Sequence, residues 1–161
     1  MLTFRYADES DVDLLFNWAN EESARKNSYN PVEIKYEDHV NWFSKRIDSE
    51  NFYLYIFTNA EGINVGQVRI EKSTGVNEAI ISISIDREHR GRGYSVEMLK
   101  KAFADFISKN KGYIIFAYIF KDNRASYKSF LKAGYGNSKE AVIKGISSYI
   151  LSYTKTNDEQ H

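Results

Sequence analysis

Residues 90–95 read RGRGYS, two arginines alternating with two glycines just ahead of an apolar periodicity. Residue types in this pattern suit an anion. Glycine backbone lets a bound group come close and adopts positive φ without strain. The N–H groups of a helix's first turn lie at the positive end of its dipole. Arg90 and Arg92 add forked donors matched to phosphate oxygens. Upstream, Ile81, Ile83 and Ile85 alternate with Ser82 and Ser84, the period of a strand. Downstream, Val96, Leu99, Ala102, Phe103, Phe106 and Ile107 recur at three and four, the period of a helix. Strand, basic glycine turn and helix together predict a phosphate or pyrophosphate site at Arg90, Gly91, Arg92, Gly93, Tyr94 and Ser95. The turn is neither a Walker sequence nor a dinucleotide fingerprint, because Val96 stands where the third glycine belongs.

The elements that must hold this turn follow from the rest of the chain. Its 161 residues suit one domain, and 42% apolar content is enough for a packed core. Formal net charge is zero, which argues against a general nucleic-acid binder. Without cysteine, neither disulfides nor thiolate metal sites can form, and no metal site is expected. There is no leader-like apolar run and no stretch of about 18 apolar residues. The expectation is a soluble cytoplasmic protein without membrane or nucleic-acid partners, either a monomer or a homodimer.

In chain order, the pattern predicts a strand over 2–6 and a helix carrying Val12, Leu14, Leu15, Trp18 and Ala19, capped by Asp8 or Ser10. Residues 21–32 lack a period, contain the only proline, and read as a loop with at most a helical turn. A second helix presents Tyr36, Val40, Phe43 and Ile47. Strands follow over 51–58 and 65–72, joined by a turn at 59–62. After the strand, basic turn and long helix come a strand over 112–120, a helix over 123–132 stopped at Gly134, and a strand pair over 136–144 and 146–153. The order β-α-α-β-β-β-α-β-α-β-β predicts an α/β single domain over 1–154, with a mixed, mostly antiparallel sheet and helices on both faces. Residues 155–161 form a polar tail.

The segment 90–95 resembles motif A of the GCN5-related N-acetyltransferase (GNAT) superfamily, Q/R-x-x-G-x-G/A, with Ser95 in place of the last small residue. Residues 123–135 resemble a second segment of that family, N-x-A-S-x-x-x-Y/F-x-K-x-G-F/Y. Asn123, Ala125, Ser126, Phe130, Lys132, Gly134 and Tyr135 all fall in place. The element order is also the family's. The resemblance implies acetyl transfer from acetyl-coenzyme A to an amine by direct attack. It assigns phosphate contacts to residues 90–95 and pantetheine contacts to Ile83, Ile85, Asn123 and Ser126, the isoleucines acting through their backbone.

Direct attack requires a deprotonated amine and a protonated or stabilised leaving thiolate. Many relatives place a tyrosine proton donor where this chain has Phe130. Tyr127, one turn earlier, is the substitute candidate, and water is the other. For the base, relatives carry a glutamate on the strand before motif A, in register with Ile80. Glu78 lies on the same strand face, and His39, titrating near neutrality, is the alternative. Ser82 and Ser84 are expected to line the cleft.

Acceptor residues in this fold come from the first helices and the loop between them. Trp18, Asn20, Arg25, Tyr29, His39 and Trp42 form a pattern resembling bacterial nucleotide-linked amino-sugar N-acetyltransferases of the pseudaminic and legionaminic acid type. Their rings would face a sugar or base, and Arg25 a diphosphate. The alternatives are a protein N-terminal acetyltransferase of the ribosomal-protein type and a coenzyme A-binding module without turnover.

Overall fold

The computed structural model describes residues 1–153. The predicted tail at 155–161, and residue 154, lie outside them. The strands are β1 (Thr3–Tyr6), β2 (Phe52–Thr58), β3 (Asn64–Lys72), β4 (Glu78–Ile85), β5 (Ile114–Phe120), β6 (Gly136–Ile143) and β7 (Ile146–Tyr153). The helices are α1 (Val12–Ala19), α2 (Glu22–Lys26), α3 (Tyr36–Arg46), α4 (Tyr94–Lys109) and α5 (Arg124–Lys132). One sheet runs in the order β1-β2-β3-β4-β5-β7-β6. Only the β4–β5 pairing is parallel, so the sheet is mixed and mostly antiparallel, as expected. The difference from expectation is α2, five helical residues in the stretch read as a loop. Glu21 nucleates it by accepting hydrogen bonds from the Ser23 and Ala24 amides.

Helices cover both faces. On β2 the sequence FYLYIFT alternates between two cores. Leu54 and Ile56 pack with Leu15, Trp18 and Phe43, on the α1–α3 side. Tyr55 and Phe57 pack with Met98, Leu99 and Phe106 of α4. A strand buried on both sides needs a continuous apolar run, and β2 has one. The stripe predicted for α3 is turned: His39 and Phe43 are its buried residues. Tyr36 sits at the exposed edge, where its hydroxyl donates to Asp13 Oδ1 at 2.7 Å. A phenol that can reach a carboxylate in water has little reason to be buried without one.

The feature that positions the site is a fork between β4 and β5. They pair at three positions only: Glu78 with Ile114, Ala79 with Ile115, and Ile80 with Phe116. Beyond Ile80, β4 continues to Ile85 along β3, and β5 continues to Phe120 along β7. The facing edges of 81–85 and 117–120 are therefore left without each other as ladder partners. Close packing holds β4 in place. A Cβ on Gly66 of β3 would lie 2.6 Å from the Ser84 carbonyl oxygen and 2.9 Å from Met98 Cε. No larger residue fits under the end of β4 and the side of α4 without displacement.

Candidate functional site

The open arm of β4 leads, through a 3-10 turn at Arg87–His89, directly into residues 90–93. Gly91 and Gly93 have φ of 76° and 75°, in the left-handed region that favours glycine. A Cβ at either would meet nothing within 4 Å, so the space above the turn is open. Gly93 is the N-cap of α4 and no side chain caps the helix, which leaves the first-turn N–H groups available. This cradle fits a diphosphate. Arg92 is exposed, with Nη2 3.4 Å from the Glu88 carbonyl. Arg90 is engaged: Nη2 donates to Glu21 Oε2 at 2.6 Å, and Nε to the Ile85 carbonyl at 3.1 Å. The Arg90 hydrogen bond holds the Glu21 carboxyl below the usual carboxylate range. Tyr94 packs against the α4-side core, and Ser95 Oγ meets Ser129 Oγ at 2.7 Å, joining α4 to α5.

Along the fork, Ile83 and Ile85 direct their side chains to the α4-side core. On that open arm, the β4 edge turned away from β3 has no strand partner, so it offers backbone groups to a ligand in the opening. Asn123 follows the open end of β5 and caps α5, its Oδ1 accepting from the Ser126 amide at 3.4 Å. Residues 83, 85, 123 and 126 thus flank one opening.

The six residues expected to hold the acceptor take up different places in the fold. Arg25 gives Nε to the Ala19 carbonyl at 2.6 Å and Nη1 to the Asn30 and Val32 carbonyls at 2.8 and 3.3 Å. Burial lowers its pKa, and the guanidinium is spent on folding the loop between α2 and α3 rather than held toward a diphosphate. Asn20 closes the same loop by pairing both amide atoms with the Ile34 backbone at 2.8 Å. His39 is 4% exposed and lies inside the α1–α3 joint among Phe16, Trp42 and Phe43. Its Nε2 donates to the Val12 carbonyl at 2.9 Å, and burial lowers its pKa. That is the setting of a neutral packing histidine.

Trp18 is buried, with Nε1 donating to Asp86 Oδ1 at 2.9 Å. Trp42 is flanked by the guanidinium carbons of Arg46 and Arg69, 5.1 and 5.2 Å from its ring centre. Tyr29 alone among the six is seen beside the open arm of β5, its ring edge-on to Phe120 at 4.7 Å and its hydroxyl 2.7 Å from Ser148 Oγ.

Of the catalytic candidates, Glu78 is exposed but stands at the closed end of the fork, about 13 Å along the strand from Ser82 at ~3.3 Å per residue. Tyr127 stacks on Tyr149 at 4.4 Å, with its hydroxyl 3.4 Å from Ser138 Oγ. Phe130 is 2% exposed and packs edge-on against Tyr135. No hydroxyl is present at that motif position.

The structure adds residues the sequence reading passed over. Asp86, after β4, accepts from Trp18 Nε1, from His89 Nδ1 at 2.9 Å and from the Glu88 amide at 3.1 Å, tying α1 to the segment that leads into the glycine turn. Burial pushes the Asp86 carboxyl up, but these hydrogen bonds outweigh it and the net direction is downward. Gln67 Nε2 donates to Ser84 Oγ at 3.1 Å. On β5, Tyr118 is exposed, two residues past the last β4 pair and therefore on the face of Phe116.

The fold is shared with acetyltransferases of known structure. The spermidine N-acetyltransferase of Vibrio cholerae, solved with CoA and spermine, superposes with a TM-score of 0.84 at 15% identity, covering 94% of each chain. The aminoglycoside acetyltransferase AAC(6')-Ib with coenzyme A gives 0.78 at 14% identity, over 96% of this chain and 95% of that one. A candidate phosphinothricin N-acetyltransferase gives 0.76 at 26% identity, over 94% and 97%. No curated protein sequence matches the chain at a significant level. The family model of the acetyltransferase (GNAT) domain matches residues 1–136, from β1 through the glycine turn and α5 to the first residue of β6. The chain therefore belongs to the GNAT acetyltransferase family, as an acetyl-coenzyme A-dependent N-acetyltransferase.

Proposed function

We propose that the chain acetylates the primary amine of a small molecule that approaches the fork from the α1–α3 side. The observation that carries this reading is the alignment of the fork with the glycine turn at its open end. Acetyl-coenzyme A, when bound, supplies an activated acyl carbon. The chain's own residues bind and orient around it. The Gly91 and Gly93 backbone and the free N–H groups of α4 hold phosphate oxygens, and Arg90 and Arg92 add charge. The β4 edge at Ile83 and Ile85 and the Asn123–Ser126 cap guide the pantetheine arm. Ser84, fixed by Gln67, presents its hydroxyl on the acceptor face. Glu78 accepts the amine's proton through solvent rather than by direct contact, given its place at the closed end. The leaving thiolate takes its proton from water, since position 130 is phenylalanine and Tyr127 is turned toward Ser138 and Tyr149.

The spermidine and aminoglycoside enzymes support a small amine as the acceptor class. A nucleotide-linked amino sugar is the less favoured acceptor here, because Arg25 and Asn20 serve the loop's own backbone. The test is thiol release from acetyl-coenzyme A with polyamines, aminoglycosides, amino acids, peptides and UDP-, GDP- and dTDP-linked amino sugars. Release with at least one small amine is expected. Release only with a nucleotide sugar or a peptide would overturn the acceptor reading, and stabilisation by the cofactor with no release would leave a binding module.

A further inference from the structure

Arg69 stands on β3 between Leu54 of β2 and Ser82 of β4, its cross-strand partners. Period-two alternation places it on the face of Leu54, the α1–α3 side, while Val68 and Ile70 are buried on the α4 side. Ser82 is the first residue beyond the fork on this face, because Ile80 is the last position paired with β5. Arg69 therefore lies one strand away from the place where an acceptor must meet the acyl group. It is half-buried, and its guanidinium rests over the Trp42 ring.

What sets Arg69 apart is that the carboxylate whose charge it feels, Glu71, is not in direct contact with it. Among the described residues it forms no hydrogen bond through its side chain and no ion pair. Glu71, two residues along and on the same face, is taken by Arg46 at 3.4 Å. Arg46 also rests on the Trp42 ring and adds positive charge beside Arg69. Burial lowers the Arg69 pKa, outweighing the opposing influence of the nearby Glu71 charge, and Arg46 adds to the lowering. A guanidinium has five N–H donors, and burying it unpaired is costly unless something binds it. The guanidinium lies over the Trp42 ring, its donors without a hydrogen-bond partner among the described residues, and a guanidinium's forked donors suit a bidentate oxyanion.

We infer that Arg69 is an acceptor-recognition residue, binding the carboxylate of a small amine such as an amino acid while the amine faces the fork beside Ser82 and Ser84. This rests on the proposed acetyl transfer and narrows its substrate class. The subsite has the opposite charge preference from one built for a polycation: a polyamine or an aminoglycoside would bring positive charge toward Arg69 and Arg46. Trp42, predicted as an acceptor contact, then acts indirectly, as the platform that orients the guanidinium.

The test uses the full chain with free coenzyme A bound and titrates the twenty free amino acids and their carboxamides by calorimetry. At least one amino acid is expected to bind tenfold or more tightly than its own amide. In Arg69→Met the preference is expected to collapse to below threefold, while coenzyme A affinity and the melting temperature stay close to those of the parent. Arg69→Lys keeps the charge but not the fork, and should retain only part of the preference. No amino acid binding better than its amide, or a preference that survives Arg69→Met, would overturn the subsite. Because binding is read without turnover, the two readings fail separately. A preserved carboxylate preference without thiol release would overturn acetyl transfer and leave the subsite standing.

Discussion

The Glu21 carboxylate receives the Arg90 guanidinium at 2.6 Å, so the residue that starts α2 is joined to the first residue of the phosphate turn. Under the proposed role of Arg90, a bound phosphate competes with Glu21 for the same charge. Glu21→Gln is expected to tighten acetyl-coenzyme A binding by about two- to fivefold, the range of a partly exposed ion pair worth up to ~1 kcal/mol. Calorimetry with the cofactor alone measures this. Weaker binding in the variant would mean that Glu21 orients Arg90 for the phosphate instead of competing with it.

Gly93→Asp is expected to abolish detectable coenzyme A binding. The carboxylate would stand at the N-terminus of α4, where the proposed pyrophosphate belongs. Gly93→Ala separates the two contributions. The left-handed φ of 75° costs a non-glycine residue roughly 1–2 kcal/mol of stability, yet its Cβ meets nothing in the free chain. Its melting temperature should fall modestly, and its cofactor affinity should fall less than that of Gly93→Asp, the difference reporting the carboxylate's charge. Retained cofactor binding by Gly93→Asp would refute the assignment of the turn.

Gly66→Ala tests the packing that holds the open arm of β4. The new methyl group would lie 2.6 Å from the Ser84 carbonyl oxygen, which is backbone and cannot swing away. A loss of about 1–3 kcal/mol is expected, the range for overpacking. Urea denaturation would measure it, with turnover reduced in whatever fraction stays folded.

His39 gives a pH dependence with a definite sign. Burial lowers its folded pKa, only partly offset by the Val12 carbonyl and Asp13. The unfolded chain protonates His39 near pH 6.5, whereas the folded chain resists until lower pH. Its contribution is complete above about pH 6.5 and is lost as pH falls through the folded value. Melting temperature should decline from pH 7 to pH 5 more steeply in the parent than in His39→Gln, which retains a donor but does not titrate. Equal slopes would show that His39 does not carry the dependence.

The glycine turn between β4 and α4 was legible in the sequence because its pattern is local: glycines, arginines, a strand before and a helix after. The element order was legible for the same reason, since each period can be read inside one element. The hydrogen-bond partners of the acceptor candidates were not. Trp18, Asn20, Arg25 and His39 look functional as residue types, but their hydrogen bonds go to Asp86, Ile34, Ala19 and Val12. Such partners, from 6 to 68 residues away, have no periodic signature. Arg69 was hidden for the converse reason. On an alternating strand an arginine reads as an ordinary solvent-facing residue, and only the packing of α3 on the sheet shows that it is half-buried beneath Trp42 with no carboxylate in direct contact.

The three-rung seam between β4 and β5 divides the sheet into two leaves, β1 to β4 and β5 to β7. A molecule lying in the gap and bonded to both leaves becomes part of the scaffold, and its binding energy adds to the folding energy by mass action. Amides along 81–85 and 117–120 that face the gap should then exchange with solvent quickly in the free chain and slowly once the gap is filled. In the cell, where the acyl donor's level rises and falls with metabolism, the stiffness of this enzyme would follow its supply.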